Sequence, residues 1–420
     1  MEQEAGRMTE KVEIAVIGAG IIGLACAFRL AQAGHAVVLI DPDPPGAGAS
    51  YGNAGTIADY AVMPVGSPAV LRDLPRLLLD RNSPLAIRHA AIVSLAPWLL
   101  RFAWQSLPAA TARNAAAIAA LTADSAKLWQ ELAAEIGAGA ILQHRGALYF
   151  YESATAFRAA HKDMTTRRGM GVSVDLVSPP EVAALEPALP QTQGGAFFPD
   201  AVFMSDPGRM VACLARAVLV LGVPHLRRKV TRLSPQPEGI RLSGPGLALQ
   251  ASKVIIAAGA HSGALARMAG DPVPLETERG YHLEWDMPAA CLSRPCCPTA
   301  RGFYLCPMEG RLRVAGTVEL GGLTAPPSPH RLKRLEQGAR AIFPDLATPD
   351  RSWMGFRPSI PDSVPVIGPG RDPRVIHAYG HGHIGLTLAP VTAQLVAAKI
   401  GGHREDDRLN PCGVQRFRGG

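Results

Sequence analysis

The sequence predicts an α/β protein in which a doubly wound, Rossmann-like sheet is joined to an inserted α+β domain with a mostly antiparallel sheet. Three observations predict it. Residues 12–41 form one strand, glycine turn, helix and strand unit; residues 207–257 return to helix and strand patterns; and residues 275–316 alternate short strand runs. At 420 residues the chain exceeds the length at which a single core stops growing, so about two domains are expected.

The first element is the stretch VEIAVIGAGIIGLACAFRLAQAGHAVVLID. Val12–Ile17 is a short apolar strand, and Gly18, Gly20 and Gly23 then form the pattern G-x-G-x-x-G. In this pattern the first glycine allows a tight turn, the second lets the backbone approach a pyrophosphate, and the third lets helix and strand pack closely. The unit therefore predicts dinucleotide binding.

The residues that follow the turn refine the ligand. Ile21 and Ile22 open the helix, whose N-terminus supplies amides and a positive dipole end for a diphosphate. Asp41 lies 18 residues beyond Gly23, close to the offset at which a carboxylate meets the ribose hydroxyls. Because a carboxylate there would repel a 2′-phosphate, we expect FAD or NAD rather than NADP.

Three later segments are rich in small residues that let backbone lie against a bound cofactor. They are the loop SYGNAGT at 50–56, the strand end IIAAGAHS at 255–262, and the loop GHGHIGLTLAP at 380–390. The last enters a helix, so its amides and dipole can face the pyrimidine edge of a flavin. The predicted cofactor contacts beyond the first unit are Ser50, Asn53, Ala54, Gly55, Thr56, Val230, Ala258, Gly259, Gly382, His383, Ile384, Gly385, Leu386 and Thr387.

The elements after the first unit repeat the doubly wound pattern. Asp206 is a candidate N-cap ahead of Pro207, and the helix should run to about Leu221. Strands are then predicted at Pro224–Leu233 and Lys253–Ala257. The nucleotide-binding domain is therefore expected to be assembled from separated segments.

The remaining patterns belong to the inserted domain and the closing helix. Residues 66–136 are rich in Ala and Leu, with helical spacing over 114–136, and residues 146–151 are predicted to form a strand. A closing helix is expected over 390–400. The predicted cofactor-binding domain comprises 1–62, 205–267 and 355–420, and the predicted substrate-binding domain comprises 63–204 and 268–354.

Composition and charge limit the classes of partner. The formal net charge is +7, but the 42 basic residues are scattered, so we expect solvated faces and no nucleic acid partner. Seven cysteines without metal-like spacing indicate reduced thiols and a cytoplasmic setting. The start MEQEAGRMTEK lacks a signal-peptide pattern, and no apolar stretch of about 20 residues occurs, so a transmembrane segment is not expected. Peripheral contact with the inner face of a membrane is a further expectation.

The motifs VIGAGIIG, SYGNAG, VIIAAGAHS, MGFRPSIPDSVPVIG and HAYGHGHIGLTLAP together resemble the D-amino-acid oxidase superfamily of FAD flavoproteins. Within it the sequence is most similar to bacterial D-amino-acid dehydrogenases, including the branch that acts on D-proline and cis-4-hydroxy-D-proline. The likeness spans nearly the whole chain, from Val12 to Ile400. It implies FAD, a small-molecule amino acid substrate, and oxidation by hydride transfer from Cα to flavin N5.

The resemblance also implies roles for particular residues. Arg357 falls where related enzymes clamp the amino-acid carboxylate, which suits a planar guanidinium. Tyr304 falls where the family places a phenol that donates to the same carboxylate. His383 falls where glycine oxidases carry an additional arginine, so the third anchor here is expected to be a titratable imidazole. Tyr281 and His282 are candidates to line the substrate cavity.

Several alternatives stay open. A sarcosine-type N-methyl amino acid oxidase is the main rival, but that group tethers its flavin through a cysteine near position 356, and no cysteine occurs between Cys306 and Cys412. Non-covalent FAD is therefore expected. An RNA-modifying or flavin-binding module is a second rival, suggested by the positive charge. The electron acceptor can be oxygen, a quinone or a carrier protein. His381 and His383 lack a third nearby ligand, so no metal is expected.

Overall fold

The computed structural model describes residues 10–79, 85–88, 91–403 and 406–418. The segment 1–9, which includes most of the N-terminal stretch without a signal-peptide pattern, lies outside the described residues. The helices are α1 (Ile21–Gln32), α2 (Pro68–Leu79), α3 (Ile92–Gln105), α4 (Pro108–Thr122), α5 (Ser125–Glu135), α6 (Ala154–Gly169), α7 (Pro179–Leu185), α8 (Pro207–Val220), α9 (Ser262–Met268), α10 (Pro329–Arg340) and α11 (Gly385–Ile400). The strands are β1 (Glu10–Ile17), β2 (Val37–Ile40), β3 (Thr56–Ile57), β4 (Leu85–Ile87), β5 (Leu142–Gln143), β6 (Ala147–Phe150), β7 (Asp175–Val177), β8 (Gly195–Phe198), β9 (Val202–Met204), β10 (His225–Leu226), β11 (Arg232–Gln236), β12 (Gly239–Gly244), β13 (Leu247–Ile256), β14 (Glu276–Asp286), β15 (Cys296–Pro298), β16 (Phe303–Met308), β17 (Arg311–Leu320), β18 (Arg351–Ser359), β19 (Val366–Pro369) and β20 (Val375–Tyr379).

The first sheet is a parallel arrangement in the order β10-β2-β1-β13-β20. β19 pairs antiparallel with β20, and the β11–β12 hairpin extends the early half of β13. Helices α1, α5, α8 and α11 bury their apolar sides against one face, while α9 and the hairpin cover the other. Its carboxyl edge, where β1, β2 and β13 end, is the place at which doubly wound sheets bind nucleotides.

The second sheet is mostly antiparallel and has the order β18-β14-β17-β16-β15-β6-β8-β7. Two of its pairings are parallel: β15 with β6, and β17 with β4. Helix α10 packs on one face in a cluster that includes Tyr281 and Leu335. The opposite face carries polar side chains toward the first sheet. A small third sheet, β3-β9-β5, joins the segment after the first unit to the rest of the chain.

Most predicted elements are confirmed. β1, α1 and β2 form the expected opening unit, and α8 begins behind Asp206, whose side chain accepts a hydrogen bond from the backbone N of Arg209. The strand runs over 275–316 form β14, β16 and β17, which pair antiparallel.

Three predicted boundaries were wrong. The strand expected at 224–233 is two strands, because β10 pairs parallel with β2 whereas β11 turns back into a hairpin. The helix expected over 114–136 breaks between α4 and α5. The last helix begins at Gly385, five residues before Pro390. Pro390 is tolerated inside α11 because the carbonyl it leaves without a partner, that of Leu386, accepts a hydrogen bond from Trp129 Nε1 at 2.8 Å.

The division into two domains remains our proposal. β18 spans residues 351–359 and belongs to the second sheet, so a boundary at residue 355 would cut through a strand. We therefore move that boundary to the end of β18. Among the described residues, no helix combines the length and hydrophobicity that a bilayer span requires.

Candidate functional site

The turn between β1 and α1 requires glycine at two positions. Gly18 has a φ of 110°, and a Cβ there would lie 2.4 Å from the carbonyl oxygen of Ala257. A Cβ on Gly23 would lie 1.9 Å from the carbonyl oxygen of Gly18. The ends of β1 and β13 and the first turn of α1 are therefore packed too closely for any larger residue, as the sequence motif predicts.

Two side chains shape the rim of this turn. Ser50 Oγ accepts a hydrogen bond from the N of Ile21 at 2.9 Å, so it caps the start of α1. Asp41 Oδ2 accepts from the N of Ala19 at 2.7 Å. The Asp41 carboxylate thus lies at the carboxyl edge of the first sheet, next to the helix N-terminus that is predicted to hold a diphosphate.

The loop at 50–55 is folded by its own side chains and held by an arginine from the second sheet. Asn53 Nδ2 donates to the carbonyl of Ser50 at 2.8 Å, and the N of Gly55 donates to Asn53 Oδ1 at 2.6 Å. Arg313 of β17 is fully buried, and its Nη1 donates to the carbonyls of Tyr51 and Asn53 at 3.0 and 2.7 Å. This guanidinium fixes the loop against the second sheet.

Arg313 is balanced by a buried carboxylate, Glu284 of β14. Arg313 Nε donates to Glu284 Oε1 at 2.8 Å, and the same carboxylate pairs with Arg311 and Arg351. Burial alone would raise the pKa of Glu284, but the surrounding guanidinium groups lower it to about 2. Glu284 is therefore ionised near neutral pH. Sequence reasoning missed this pair, and the available signal was a charge at an inward position of two otherwise apolar strand runs.

His282 supports the same loop, contrary to its predicted place in the substrate cavity. Its Nδ1 donates to the carbonyl of Gly52 at 3.1 Å, and its ring stacks on Trp353 with centroids 5.1 Å apart. A Cβ on Gly52 would lie 2.1 Å from the Trp353 ring. Burial lowers the pKa of His282 to about 4, with the charge of Arg313 acting in the same direction, so the ring is neutral. His282 therefore positions the loop.

Arg357 lies on β18 with its guanidinium over the backbone of β14. A Cβ on Gly280 would lie 2.6 Å from Arg357 Cζ, so glycine is required beneath it. Nη1 donates to the carbonyl of Thr317 at 3.1 Å, and Thr317 adopts a φ of 59°, which is unusual for a β-branched residue. Burial lowers the pKa of Arg357, and nearby Glu278 opposes that shift. Among the described residues no carboxylate forms an ion pair with Arg357, so its guanidinium can bind an external one.

His383 lies beside Arg357. The N of Gly382 donates to the carbonyl of Pro358 at 2.8 Å, which ties the glycine loop to β18. Protein surrounds His383, yet its side chain keeps exposed surface, as expected for a residue that lines a cavity. Burial lowers the pKa of His383 to about 4, with the charge of Arg357 acting in the same direction. The predicted third anchor is therefore a neutral imidazole near pH 7 and does not titrate there.

The two predicted tyrosines lie apart from Arg357. Tyr304 OH hydrogen-bonds with Tyr149 OH at 2.7 Å, and its strand, β16, is separated from β18 by β17 and β14. No described contact joins Tyr304 to Arg357. Tyr281 lies on the α10 side of the second sheet, where its hydroxyl donates to Glu319 and accepts from the N of Ser328 at 3.1 Å. We therefore remove Tyr281 from the proposed site and place Tyr304 in an adjoining tyrosine cluster.

The remaining predicted contacts surround the same space. Thr387 Oγ1 accepts from the N of Ala58 at 2.9 Å, which links α11 to the segment after the loop. Val230 packs in the same apolar cluster as Ala258. Gly259 has a φ of 54° and open space at its Cβ position.

A metal site is not supported. The ring of His381 is buried and hydrogen-bonded to the hydroxyl of Thr392 at 3.0 Å, so it is already satisfied by protein. Among the described residues no group of three His, Cys, Asp or Glu side chains could hold a metal ion.

These residues fit FAD. The glycine turn, the Asp41 carboxylate and the start of α1 suit the adenosine diphosphate portion, and the braced loop with the α11 N-terminus suits a flavin ring. Thr56 Oγ1 is buried next to this loop without a hydrogen-bond partner, as expected for a group that a ligand would satisfy. The fold and site together define a dinucleotide-binding oxidoreductase of the flavin type.

Comparison with known proteins agrees. Residues 13–399 match the DAO family of FAD-dependent oxidoreductases, and the chain belongs to this family and binds FAD. It is 34% identical to a D-amino-acid oxidase of Bradyrhizobium diazoefficiens, over 98% of this chain and 100% of that protein. It is 32% identical to a D-amino acid dehydrogenase 2 of Ralstonia nicotianae, over 93% of this chain and 96% of that protein. The predicted family is confirmed.

A solved structure shows the same fold. Glycine oxidase from Geobacillus kaustophilus superposes with a TM-score of 0.78 at 24% identity, covering 97% of this chain and 99% of that one. The predicted fold class, a nucleotide-binding sheet with a substrate domain, is confirmed.

Replacing Arg313 by Gln is expected to weaken FAD binding at least ~tenfold, because the 50–55 loop loses two hydrogen bonds and Glu284 loses a partner. Removing one member of a buried ion pair should also lower the free energy of unfolding by about 3 kcal/mol. Titration of the apoprotein with FAD and denaturant unfolding measure both effects. The control is Arg301→Gln, whose pair with Glu152 is partly exposed and should matter by less than about 1 kcal/mol. Unchanged FAD affinity in the Arg313 variant would contradict the assigned role.

We expect the flavin to be bound without a covalent link, because no cysteine is close in sequence to β18. Acid precipitation of the holoprotein should leave the yellow colour in the supernatant. A coloured pellet after washing would contradict this prediction.

Proposed function

We propose that the protein oxidises the CH–NH or CH–NH2 group of a D-amino acid or a proline-like imino acid with bound FAD. The observation that carries the proposal is Arg357, an enclosed guanidinium without a protein carboxylate partner among the described residues, which lies beside the cofactor-binding segments. A fixed positive charge of this kind suits a substrate that carries a carboxylate.

The residues of the site orient the substrate. The planar guanidinium of Arg357 presents paired N–H groups that match the two oxygens of a carboxylate. Thr317 holds one edge of the guanidinium through its carbonyl, so the remaining edge is oriented before substrate arrives. Such pre-organisation supports catalysis by placing the substrate in a reactive geometry.

His383 contributes a neutral polar wall. Because its pKa is lowered to about 4, the ring carries no charge near pH 7 and does not compete with Arg357 for the carboxylate. A neutral imidazole can accept a hydrogen bond from a substrate amine or donate one to a carboxylate oxygen.

FAD, when bound, supplies the chemistry by accepting a hydride from the substrate Cα. The chain provides the enclosure: the loop braced by Arg313 and the loop at 380–385 exclude water from the space beside Arg357. The N-terminus of α11 presents a positive dipole end to this region, which favours the negative charge of a reduced cofactor.

The relatives support the substrate class. The curated relatives are named as D-amino-acid oxidase and D-amino acid dehydrogenases, and they cover almost the whole chain. The glycine oxidase structure supports the fold alone.

The electron acceptor and location complete the proposal. We propose that electrons pass to oxygen, a quinone or a carrier protein, and that the protein acts in the cytoplasm in peripheral contact with the inner face of the membrane. All seven cysteines are free thiols, which supports a reducing compartment.

A panel of substrates tests the proposed function. Under anaerobic conditions D-amino acids or D-proline are expected to bleach the flavin absorption of the holoprotein, while L-amino acids and N-methylglycine leave it unchanged. Admission of air then times reoxidation and identifies an oxidase or a dehydrogenase. Bleaching by N-methylglycine alone would replace the proposal with a sarcosine-type activity, and no bleaching by any member would contradict it.

Replacing Arg357 by Lys is expected to raise the substrate KM about tenfold to hundredfold, because one charged hydrogen bond worth about 1.5 to 3 kcal/mol is lost. Flavin content should stay unchanged. Steady-state kinetics and the absorption spectrum measure the two effects, with Arg374→Lys, which pairs with Asp372 outside the site, as control. An unchanged KM would exclude Arg357 from the substrate site.

A further inference from the structure

Helix α3 buries one side and leaves a second apolar side uncovered. Its buried residues, Leu95, Trp98 and Phe102, pack in a small cluster with Leu320 of the second sheet. On the other side Val93, Leu100 and Trp104 are 86%, 74% and 70% exposed. We call the exposed set the α3 stripe; its members are Val93, Pro97, Leu100, Trp104 and Leu107.

The α3 stripe has the geometry of a surface that binds something. At 100° per residue, Val93, Leu100 and Trp104 lie within about 40° of one another on the helix circumference. Single exposed apolar residues are common on soluble proteins, but a continuous row with a tryptophan indicates an interaction surface.

The charge of the surrounding sequence favours an anionic partner. Residues 81–123 contain four arginines and no Asp or Glu, although the whole chain has 35 acidic residues in 420, or one in twelve. A helix with an apolar face and basic flanks is the pattern of segments that lie in the plane of a membrane surface.

A cavity beside the stripe strengthens this inference. It has a volume of about 380 Å³, and Arg101 and Gln105 of α3 and Arg113 and Asn114 of α4 line one side. Arg101 follows Leu100 directly, so the cavity borders the stripe. Among the described residues no carboxylate forms an ion pair with Arg101 or Arg113, and Arg113 donates to Gln105 Oε1 at 3.4 Å.

The other charges at this cavity neutralise each other. Arg416 Nε donates to Asp362 Oδ2 at 2.9 Å, so the acidic residue in the cavity wall is already paired. The two guanidinium groups on the α3 and α4 side are therefore the net charge of the cavity. Guanidinium groups bind phosphate in a bidentate manner.

We propose that the α3 stripe docks the protein on an anionic lipid bilayer, with Arg101 and Arg113 binding lipid phosphate at its edge. This inference rests on the proposed peripheral location and names the surface responsible for it. The helix lies parallel to the membrane, Leu100 and Trp104 enter the interface between headgroups and acyl chains, and the cavity receives a headgroup.

Vesicle co-sedimentation of the full-length holoprotein tests the docking surface. The protein is expected to sediment with phosphatidylcholine vesicles that contain phosphatidylglycerol, and much less with phosphatidylcholine alone. The double variant Leu100→Glu, Trp104→Glu should lower the partition coefficient at least ~tenfold. The matched control Leu219→Glu, Val220→Glu removes two exposed apolar residues of α8 and should bind as the parent protein does.

The charged edge is tested separately. Arg101→Gln should weaken binding to the anionic vesicles several-fold and reduce its dependence on salt, while binding to neutral vesicles stays the same. Flavin absorption confirms that each variant is folded.

Three outcomes would overturn the proposal: no binding of the parent protein to anionic vesicles, equal losses in the α3 and α8 variants, or an α3 variant that only converts a dimer to a monomer. The last would mean that a second copy covers the stripe. Flavin bleaching by amino acids is measured without vesicles on the same samples, so a failure of docking is distinct from a failure of the proposed function.

Discussion

The buried pair of Arg313 and Glu284 joins the two parts of this structure. Arg313 comes from the second sheet and donates to two carbonyls of the loop at 50–55, which begins at the residue that caps α1. Burying a pair is costly unless its hydrogen bonds are well satisfied, and here the carboxylate has two further arginine partners. The pair therefore serves geometry: it fixes the distance between the nucleotide cradle and the sheet that carries Arg357.

The candidate site depends on this fixed relation. Arg357 lies on β18, and His383 follows a loop that is hydrogen-bonded to the same strand. Residues far apart in sequence, such as Ala58 and Thr387, meet through one hydrogen bond behind the loops. Burial keeps both His282 and His383 neutral near pH 7, because it lowers the pKa of each ring to about 4. Within the described part of the site, Arg357 is therefore the cation that is free of a protein carboxylate.

The sequence predicted the cofactor half of this arrangement well and the substrate half less well. The glycine turn, Asp41 and Ser50 are local features whose spacing determines their geometry, so they could be placed from the chain alone. The roles of Tyr281 and His282 depend on which face of β14 each side chain occupies, and that is set by pairing with β17 and β18. The pair described above was missed because a charge inside a strand run becomes informative only when its partner across the sheet is known.

The most direct test is a crystal structure of the FAD-bound protein with a carboxylate substrate analogue that cannot be oxidised. We expect the analogue carboxylate to pair with the guanidinium of Arg357, beside His383, and the loop at 50–55 to contact the flavin while Arg313 stays bonded to its carbonyls. A carboxylate bound away from Arg357, with that guanidinium turned to a protein partner, would contradict the proposed site.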